Sequence, residues 1–158
     1  MSSEIAPGTY HIKHPKSGMF VVPRTWQETV SPLCLVHLND PAFPQLSYVW
    51  SFIEIEPNLF RIVNEKTRLC VQIKHGGTPP AAGESVHQNT CESPGADERW
   101  YYRAGRFECF LNPALMWEAV DQGGPYLMID ANPAHGLDSE WVLVTVTPSD
   151  EEAKGTAA

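Results

Sequence analysis

The stretch Asn58-Leu-Phe-Arg-Ile-Val-Asn-Glu-Lys-Thr-Arg-Leu-Cys-Val-Gln-Ile73 decides the fold class of this chain. Phe60 and Ile62 flank the polar Arg61, and the same alternation of apolar and polar residues recurs from residue 69 to 73. A period of two is typical of half-buried β-strands, and the polar residues 64–67 between the two runs predict a turn. A third run begins at Glu84 and a fourth at Trp100, so residues 58–103 predict four short strands.

The same order of short runs recurs on both sides of this stretch. We therefore predict three four-stranded units, at about residues 8–53, 58–103 and 105–146, in one domain that spans residues 1–147. One such unit cannot bury its apolar face alone, so the three are expected to close around a shared core. The residues that recur in each unit are an opening aromatic, Tyr10, Phe60 and Phe107, and a closing tryptophan, Trp50, Trp100 and Trp141. The tryptophans are expected to form a core layer.

Composition favours an all-β protein and limits its partners. Fourteen prolines and eleven glycines interrupt any helical period among the 158 residues. A net charge of −8 argues against nucleic acid, whose binding needs clustered Lys and Arg. The start lacks a basic segment followed by an apolar one, and the apolar runs are too short for membrane insertion, so we expect a cytoplasmic protein. The tail, residues 148–158, is polar and is expected to be disordered.

Four cysteines, Cys34, Cys70, Cys91 and Cys109, would suit two disulfides in a secreted chain. Because the sequence shows no secretion signal, we expect reduced and buried thiols. Cys70 and Cys91 lie on the predicted second and third strands of the middle unit, where they could be neighbours. The sequence therefore leaves the state of that pair open.

The middle unit resembles one repeat of the ricin B-type β-trefoil family. The segments that carry the resemblance are Ile62-Val-Asn64, Arg68-Leu-Cys-Val-Gln-Ile73, Gly83-Glu-Ser-Val-His-Gln-Asn-Thr-Cys91 and Glu98-Arg-Trp100. The opening Pro7-Gly-Thr-Tyr-His-Ile12 is similar to the start of small cytosolic mushroom (fungal) β-trefoils, which include lectins and protease inhibitors. The resemblance implies a β-trefoil of three four-stranded repeats that recognises other molecules and performs no catalysis. The glutamine of the family's Gln-x-Trp signature is replaced in all three units.

The resemblance also implies a site for a sugar. Each working repeat of the family supplies an aspartate at the end of its second strand, an aromatic platform on the third strand and a polar residue before the tryptophan. The aspartate position falls on Val22, Gln72 and Asp121 in the three units, so only the third unit keeps the acid. The aromatic platform is missing from its usual place in every unit, although Tyr126 is a potential substitute.

We therefore predict a carbohydrate-binding lectin for glycans or glycoproteins, with its main site in the third unit. Carboxylates accept strong hydrogen bonds from sugar hydroxyls, and the glycines after Asp121 would let a ligand approach the backbone. The alternative for Asp121 is a turn-capping role, because Asp and Gly are favoured in turns. The predicted carbohydrate-binding residues are Asp121, Gln122, Tyr126, His135, Asp138 and Trp117. A packing role is the alternative for Trp117.

Other functions have weaker support in the sequence. The six histidines show no metal-ligand spacing, and no catalytic motif is present, so we expect no metal and no cofactor. Protease inhibition is the alternative function, through a stiff surface loop. The candidate loops are the segment with Arg24 and Trp26, in which Arg24 would suit a trypsin-like pocket, and the proline-containing residues 76–83. A protein-binding scaffold remains a third possibility, and a homodimer is compatible with the sequence.

Overall fold

The computed structural model describes residues 3–73, 80–91 and 95–146. The predicted disordered tail, 148–158, lies outside the described residues, as do residues 76–79 of the second candidate inhibitory loop. The described residues form an all-β structure that contains three short 3₁₀ helices and no α-helix. None of the helices in these ranges is long and apolar enough to cross a membrane.

Twelve strands follow one another along the described chain, and we group them as three units of four. The first unit contains β1 (Gly8–His14), β2 (Met19–Pro23), β3 (Ser31–Val36) and β4 (Trp50–Glu56). The middle unit contains β5 (Leu59–Asn64), β6 (Cys70–Ile73), β7 (Glu84–Asn89) and β8 (Arg99–Arg103). The third unit contains β9 (Arg106–Cys109), β10 (Asn112–Asp121), β11 (Leu127–Asn132) and β12 (Val142–Thr145). The 3₁₀ helices are Gln45–Tyr48, Ala96–Glu98 and Gly136–Ser139, each just before the closing tryptophan of its unit.

Strand pairing places corresponding strands of the three units in corresponding positions. In each unit the second strand pairs antiparallel with the third, as β2 with β3, β6 with β7 and β10 with β11. The third strands β3, β7 and β11 also pair with one another in all three combinations. β1, β4, β5, β8 and β9 pair in succession, and β12 returns to pair with β1.

A layer of tryptophans lies at the centre of the fold. Trp50, Trp100 and Trp141 are fully buried, which confirms the predicted core role. Their indole N–H groups donate to the carbonyl oxygens of Val21 at 3.0 Å, Val71 at 2.9 Å and Trp117 at 3.0 Å. A buried N–H needs an acceptor, so this repeated hydrogen bond fixes the second strand of each unit against its tryptophan. It also identifies which residues of the second strands correspond.

The middle unit contains a disulfide between Cys70 and Cys91, with Cα atoms 5.0 Å apart. The expectation of reduced thiols is therefore wrong for this pair. The reason is local, because Cys70 on β6 lies opposite Asn89 on β7, only two residues before Cys91. Antiparallel pairing thus brings the two cysteines to a separation that a disulfide can span. Cys34 and Cys109 are free and buried, as expected.

Candidate functional site

The register of the strands defines the position in each unit where the sequence predicted a sugar-binding acid. Val21, Val71 and Trp117 correspond because each accepts a hydrogen bond from the closing tryptophan of its unit. The next residues along the second strands are Val22, Gln72 and Glu118. These three residues also lie opposite corresponding residues of the third strands, namely Cys34, His87 and Asp130.

This register corrects one of the predicted correspondences. The sequence placed the acid of the third unit at Asp121, but the structure places Glu118 at the position of Val22 and Gln72. Asp121 lies three residues further on, at the end of β10. Its Oδ1 accepts a hydrogen bond of 2.9 Å from the N–H of Gly123, which is the turn-capping role given as the alternative.

Glu118 is held at the side of a cleft by two neighbours. Its Oε1 accepts a hydrogen bond of 2.8 Å from the Asn132 amide, and its Oε2 lies 2.6 Å from His135 Nδ1. Since a carboxylate can only accept, the Nδ1–H of His135 is the donor. The Glu118 side chain is 13% exposed, and each carboxylate oxygen can accept a further hydrogen bond. The group is therefore fixed in orientation and still able to bind a ligand hydroxyl.

Asp138 adds a second carboxylate to the same cleft. Its Oδ1 accepts a hydrogen bond of 2.8 Å from the Lys16 ammonium, and its Oδ2 lies 3.7 Å from His135 Nδ1. Hydrogen bonding to Lys16 is the main reason that the pKa of Asp138 is lowered. Lys16 belongs to the first unit, so the cleft depends on chain segments 122 residues apart. Asp138 is thus ionised at neutral pH.

Asp130 lies behind the cleft, opposite Glu118 in the β10–β11 pairing. Its Oδ2 accepts a hydrogen bond of 2.7 Å from the amide of Gln122. Gln122, a predicted site residue, therefore orients the carboxylate of Asp130. Burial raises the pKa of Asp130, the Gln122 hydrogen bond lowers it, and the nearby charge of Glu118 raises it further. The net direction is upward.

Two neighbouring clefts divide the predicted site residues. The acidic cleft, of about 520 Å³, is lined by Glu118, Ala119, Val120, Asp121, Asn132, Pro133, Ala134, His135 and Asp138. The tyrosine cleft, of about 410 Å³, is lined by Met19, Leu35, Val36, His37, Asp40, Asp121, Gly124, Pro125, Tyr126 and Leu127. Asp121 lines both clefts. Tyr126 lines the tyrosine cleft, whereas His135 and Asp138 line the acidic cleft. The structure therefore brings His135 and Asp138 together and separates Tyr126 from them.

Tyr126 packs in a small apolar cluster and contacts the arginine of the alternative inhibitory loop. Its ring meets Phe43 edge to face at 5.9 Å, and the guanidinium of Arg24 lies 5.9 Å from the ring centroid. Trp26 is partly buried against the same cluster, and the ammonium of Lys66 lies 5.4 Å from its ring. Arg24 is exposed but in contact with an aromatic face, and Trp26 has a packing role.

Trp117 cannot contact a glycan, and its place among the predicted site residues is wrong. The side chain is fully buried, and its ring stacks on Phe107 with centroids 4.0 Å apart. It also meets the rings of Trp100 and Trp141 edge to face. Strand alternation explains the difference, because Trp117 points to the core and the next residue, Glu118, points to the other face.

The corresponding positions of the other two units are closed. In the first unit Val22 and Cys34 are fully buried in the apolar cluster that also contains Val36, Phe43 and Tyr48. In the middle unit the Gln72 amide is buried and donates at 2.9 Å to both the Thr90 carbonyl and Glu98 Oε2. Glu98 is itself fully buried within 3.4 Å of Arg61 Nε. Of the three corresponding positions, the one in the third unit holds an acid, Glu118, that a ligand can reach.

The acidic cleft also contains a set of potential metal ligands. Glu118, His135 and Asp138 each offer one ligand atom, and these atoms lie within 4.8 Å of one another. The sequence showed no ligand spacing because the three residues meet only through the pairing of β10 with β11 and the 3₁₀ helix after it. Lys16 contacts Asp138 and His135 contacts Glu118, so in this structure the three residues are joined by a network of polar contacts.

Glu118 and Asn132 belong to this cleft but were not among the predicted site residues. The spacing to the closing tryptophan gave no signal for Glu118, because it is 29 residues from Val21 and from Val71 to their tryptophans but 24 from Trp117 to Trp141. The usable signal was a core-facing apolar residue directly before each of the first two candidate positions. Trp117 is an apolar residue of that kind, directly before an acid. Asn132 could not be found in this way, because its contact with Glu118 depends on the register of β11.

Comparison with known proteins gives a consistent result at the level of fold. No protein-family model matches the chain, and no curated protein sequence matches it. The designed threefold-symmetric protein ThreeFoil is similar at a TM-score of 0.74 and 11% identity, over 88% of this chain and 99% of that one. A mutant C-terminal domain of an earthworm lectin, solved with 6'-sialyllactose, has a TM-score of 0.68 and 10% identity over 89% and 100% of the two chains.

A third similar structure is a lectin of Polyporus squamosus bound to a sialylated epitope, Neu5Aca2-6Galb1-4GlcNAc. Its TM-score is 0.70 at 10% identity, over 89% of this chain and 50% of the lectin. Similar domains also occur within larger chains, including a mosquitocidal holotoxin and an exo-β-1,3-galactanase. At these identities the likeness concerns the backbone arrangement. The described residues therefore share the all-β, β-trefoil-like fold of these structures.

Proposed function

We propose that the chain is a glycan-binding lectin, built as three four-stranded repeats at about residues 8–53, 58–103 and 105–146, with its principal site in the acidic cleft of the third. In this proposal the protein binds glycans or glycoproteins and performs no catalysis. The fold that it shares with solved lectins supports the class of function. The accessible acid at the sugar-binding position of the third repeat supports the place.

The observation that carries the proposal is the environment of Glu118. Asn132 and His135 hold both of its carboxylate oxygens in place, and each oxygen can accept one more hydrogen bond. Two adjacent sugar hydroxyls match such a pair of acceptors, and hydrogen bonds to a charged group are stronger than neutral ones. Asp138 and His135 provide further polar contacts at the edge of the same cleft.

A longer glycan would reach beyond the acidic cleft. Asp121 lines both clefts, so an oligosaccharide that contacts Glu118 can continue past Asp121 toward Tyr126. Tyr126 is partly exposed and lines the tyrosine cleft, so we expect its ring to give a sugar apolar contact at a distance from the acid. Gln122 acts indirectly, through its hydrogen bond to Asp130. In this assignment Glu118 contributes most to affinity, and Asp121 and Tyr126 contribute less.

The test is a glycan array followed by calorimetric titration of the best neutral glycan, with wild-type protein and two variants. Glu118→Gln removes the charge and converts one acceptor to a donor, so we expect an affinity loss of about tenfold or more. Asp121→Ala should lose less, because this side chain already caps the turn. The matched control is Glu56→Gln, an exposed acid on β4, which does not pair with β10 or β11.

Wild-type affinity in the folded Glu118→Gln variant would show that the site lies elsewhere. A blank array would count against the lectin proposal and would revive the inhibitor alternative. In that case trypsin would be titrated with the wild-type protein and with Arg24→Ala. Unchanged trypsin activity at equimolar protein would remove the trypsin version of that hypothesis.

Cellular location remains a prediction. The cytoplasmic expectation rests on the start of the sequence, whereas a Cys70–Cys91 disulfide is a bond that persists in oxidising compartments. Thiol counting on protein from its native source, under denaturing conditions, separates the two. Four reactive thiols would support the cytoplasmic prediction, and two would support an oxidising compartment.

A further inference from the structure

The acidic cleft carries an excess of negative charge. Glu118, Asp121 and Asp138 line it, and Asp130 lies directly behind, opposite Glu118. Among the described residues, the Lys16 ammonium and the His135 imidazole form side-chain contacts with these acids. Lys16 is hydrogen-bonded to Asp138, and the Nδ1–H of His135 is directed to Glu118. The Lys16 ammonium therefore partly neutralises Asp138, and the Nδ1–H of His135 is already used by Glu118.

The rest of the chain adds to the negative charge of the cleft. The whole chain carries a net charge of −8, so the long-range field does not offset the cleft. Burial raises the pKa of Asp130, and the neighbouring charge of Glu118 raises it further, which is the response of one acid to another close by. An anionic group that entered the cleft would meet the same repulsion. A cationic group would relieve it.

We infer that the cleft selects among glycans by charge: it prefers sugars with a protonated amine, accepts neutral sugars and excludes sialic and uronic acids. This inference rests on the proposed lectin function. It also separates the chain from two of its structural neighbours, the earthworm and Polyporus squamosus lectins, which were solved with sialylated ligands. Like-charge contact at a binding surface is a common means of rejecting the wrong ligand.

The expected size of the effect follows from the exposure of the cleft. A solvent-exposed ion pair changes an equilibrium by about 1.5-fold to fivefold, and several acids act together here. Replacing an acidic sugar by a protonated amino sugar changes the charge of the ligand by two units, from about −1 to about +1. We therefore expect a preference of about tenfold for the amino sugar over the acidic one in low salt. Added salt should reduce this ratio, because exposed charges are screened.

The experiment compares sugars that share ring stereochemistry and differ in charge. The first set is galactose, galactosamine and galacturonic acid, the second is glucose, glucosamine and glucuronic acid, and the third is lactose with 6'-sialyllactose. Each is titrated into the intact protein, with EDTA present so that no divalent metal ion bridges ligand and acid. The expected order of affinity is amine, then neutral, then acid, with the spread narrowing from about 20 mM to 500 mM salt.

Charge-removing variants test whether these acids set the order. Asp121→Asn keeps an oxygen that can cap Gly123, so the turn is retained while one charge is lost. This variant should lower the ratio of amine to acid affinity by about 1.5-fold to fivefold, and Asp121→Asn combined with Glu118→Gln should lower it further. Glu56→Gln, remote in the sheet, should leave the ratio unchanged.

The outcomes separate this inference from the proposed function. If neutral sugars bind and their charged analogues bind equally tightly, or the acidic analogues bind more tightly, charge selection is overturned. The lectin proposal is then left intact. An unchanged ratio of amine to acid affinity in the double variant Asp121→Asn, Glu118→Gln also overturns charge selection. Failure of every neutral sugar, lactose and arrayed glycans included, removes the lectin proposal and the inference together.

Discussion

The first and third units place the same strand positions in two different environments. In the first unit the position holds Val22, opposite Cys34, and both are buried in an apolar cluster. In the third unit the position holds Glu118, opposite Asp130, at the side of an open cleft. In each case the preceding residue accepts the indole hydrogen bond from the closing tryptophan. The backbone is thus shared, and the difference lies in the side chains.

In the first unit, side-chain packing closes the position of Val22. Phe43 and Tyr48, from the segment between β3 and β4, cover Val22 and belong to the same buried cluster. The corresponding segment of the third unit contributes His135, which hydrogen-bonds to Glu118, and Asp138, which lies 3.7 Å from His135. Neither side chain covers the acid, which stays 13% exposed. Apolar residues at one unit's position extend the core, whereas polar residues at the other leave a surface cleft. One architecture therefore supports both an extended apolar core and an open polar cleft.

The largest effect is expected from placing the third unit's acid into the first. Val22→Glu would bury a carboxylate among apolar side chains that offer it no ion pair, at a cost of about 3 kcal/mol or more. Urea denaturation measures the free energy of unfolding. The reciprocal change, Glu118→Val, should cost less than about 1 kcal/mol, because its former partners Asn132 and His135 can be hydrated. Equal costs for the two changes would contradict the difference in environment.

The middle unit provides a third case, because a disulfide joins its second strand to the residues just after its third strand. Cys70→Ala should lower the free energy of unfolding by about 3 kcal/mol, because the Cys70–Cys91 bond closes a loop with a sequence separation of 21. Reduction of the wild type with dithiothreitol should cost a similar amount. The reductant should have no effect on the Cys70→Ala, Cys91→Ala double variant, and a further loss there would place the effect in another bond.

Equal responses are expected where the two units are alike. Trp50→Phe and Trp141→Phe each remove one buried indole hydrogen bond and part of a ring, so each should cost about 2 kcal/mol. Chemical denaturation of both variants, with tyrosine fluorescence or circular dichroism as the signal, tests this. A difference greater than about 1 kcal/mol between them would mean that the tryptophan layer does not serve the two units equally.

The smallest effect concerns the pH dependence of the third unit. Because the pKa of Asp130 is raised, the folded state holds its proton at pH values where the unfolded chain has released it. Its contribution to stability is therefore present below the ordinary carboxyl pKa of about 4 and decreases as pH rises through the raised value. Asp130→Asn should remove this decrease. Unfolding free energies measured from pH 3 to 8 for both proteins, with identical slopes, would contradict the assignment.

Sequence patterns predicted the strands well because the alternation is local. The two runs around residues 60–62 and 69–73 correspond to β5 (Leu59–Asn64) and β6 (Cys70–Ile73). The three closing tryptophans were identified as core for a similar reason, since one residue type recurs at one place in each unit. The site was harder to predict, because Asp121, Gln122, His135 and Asp138 are near one another in sequence but hold different positions around Glu118.

The sequence by itself determined an all-β chain, its strand periodicity and the tryptophan layer, because all three follow from the alternation and recurrence of residues along the chain. Only the tertiary structure decided which acid occupies the position equivalent to Val22 and Gln72, that Cys70 and Cys91 are bonded, and that Trp117 faces the core. These outcomes depend on register, and a shift of one residue along a strand exchanges the buried face for the exposed one. Pairing between strands fixes the register, and such pairing joins residues such as Lys16 and Asp138, which are far apart in the sequence.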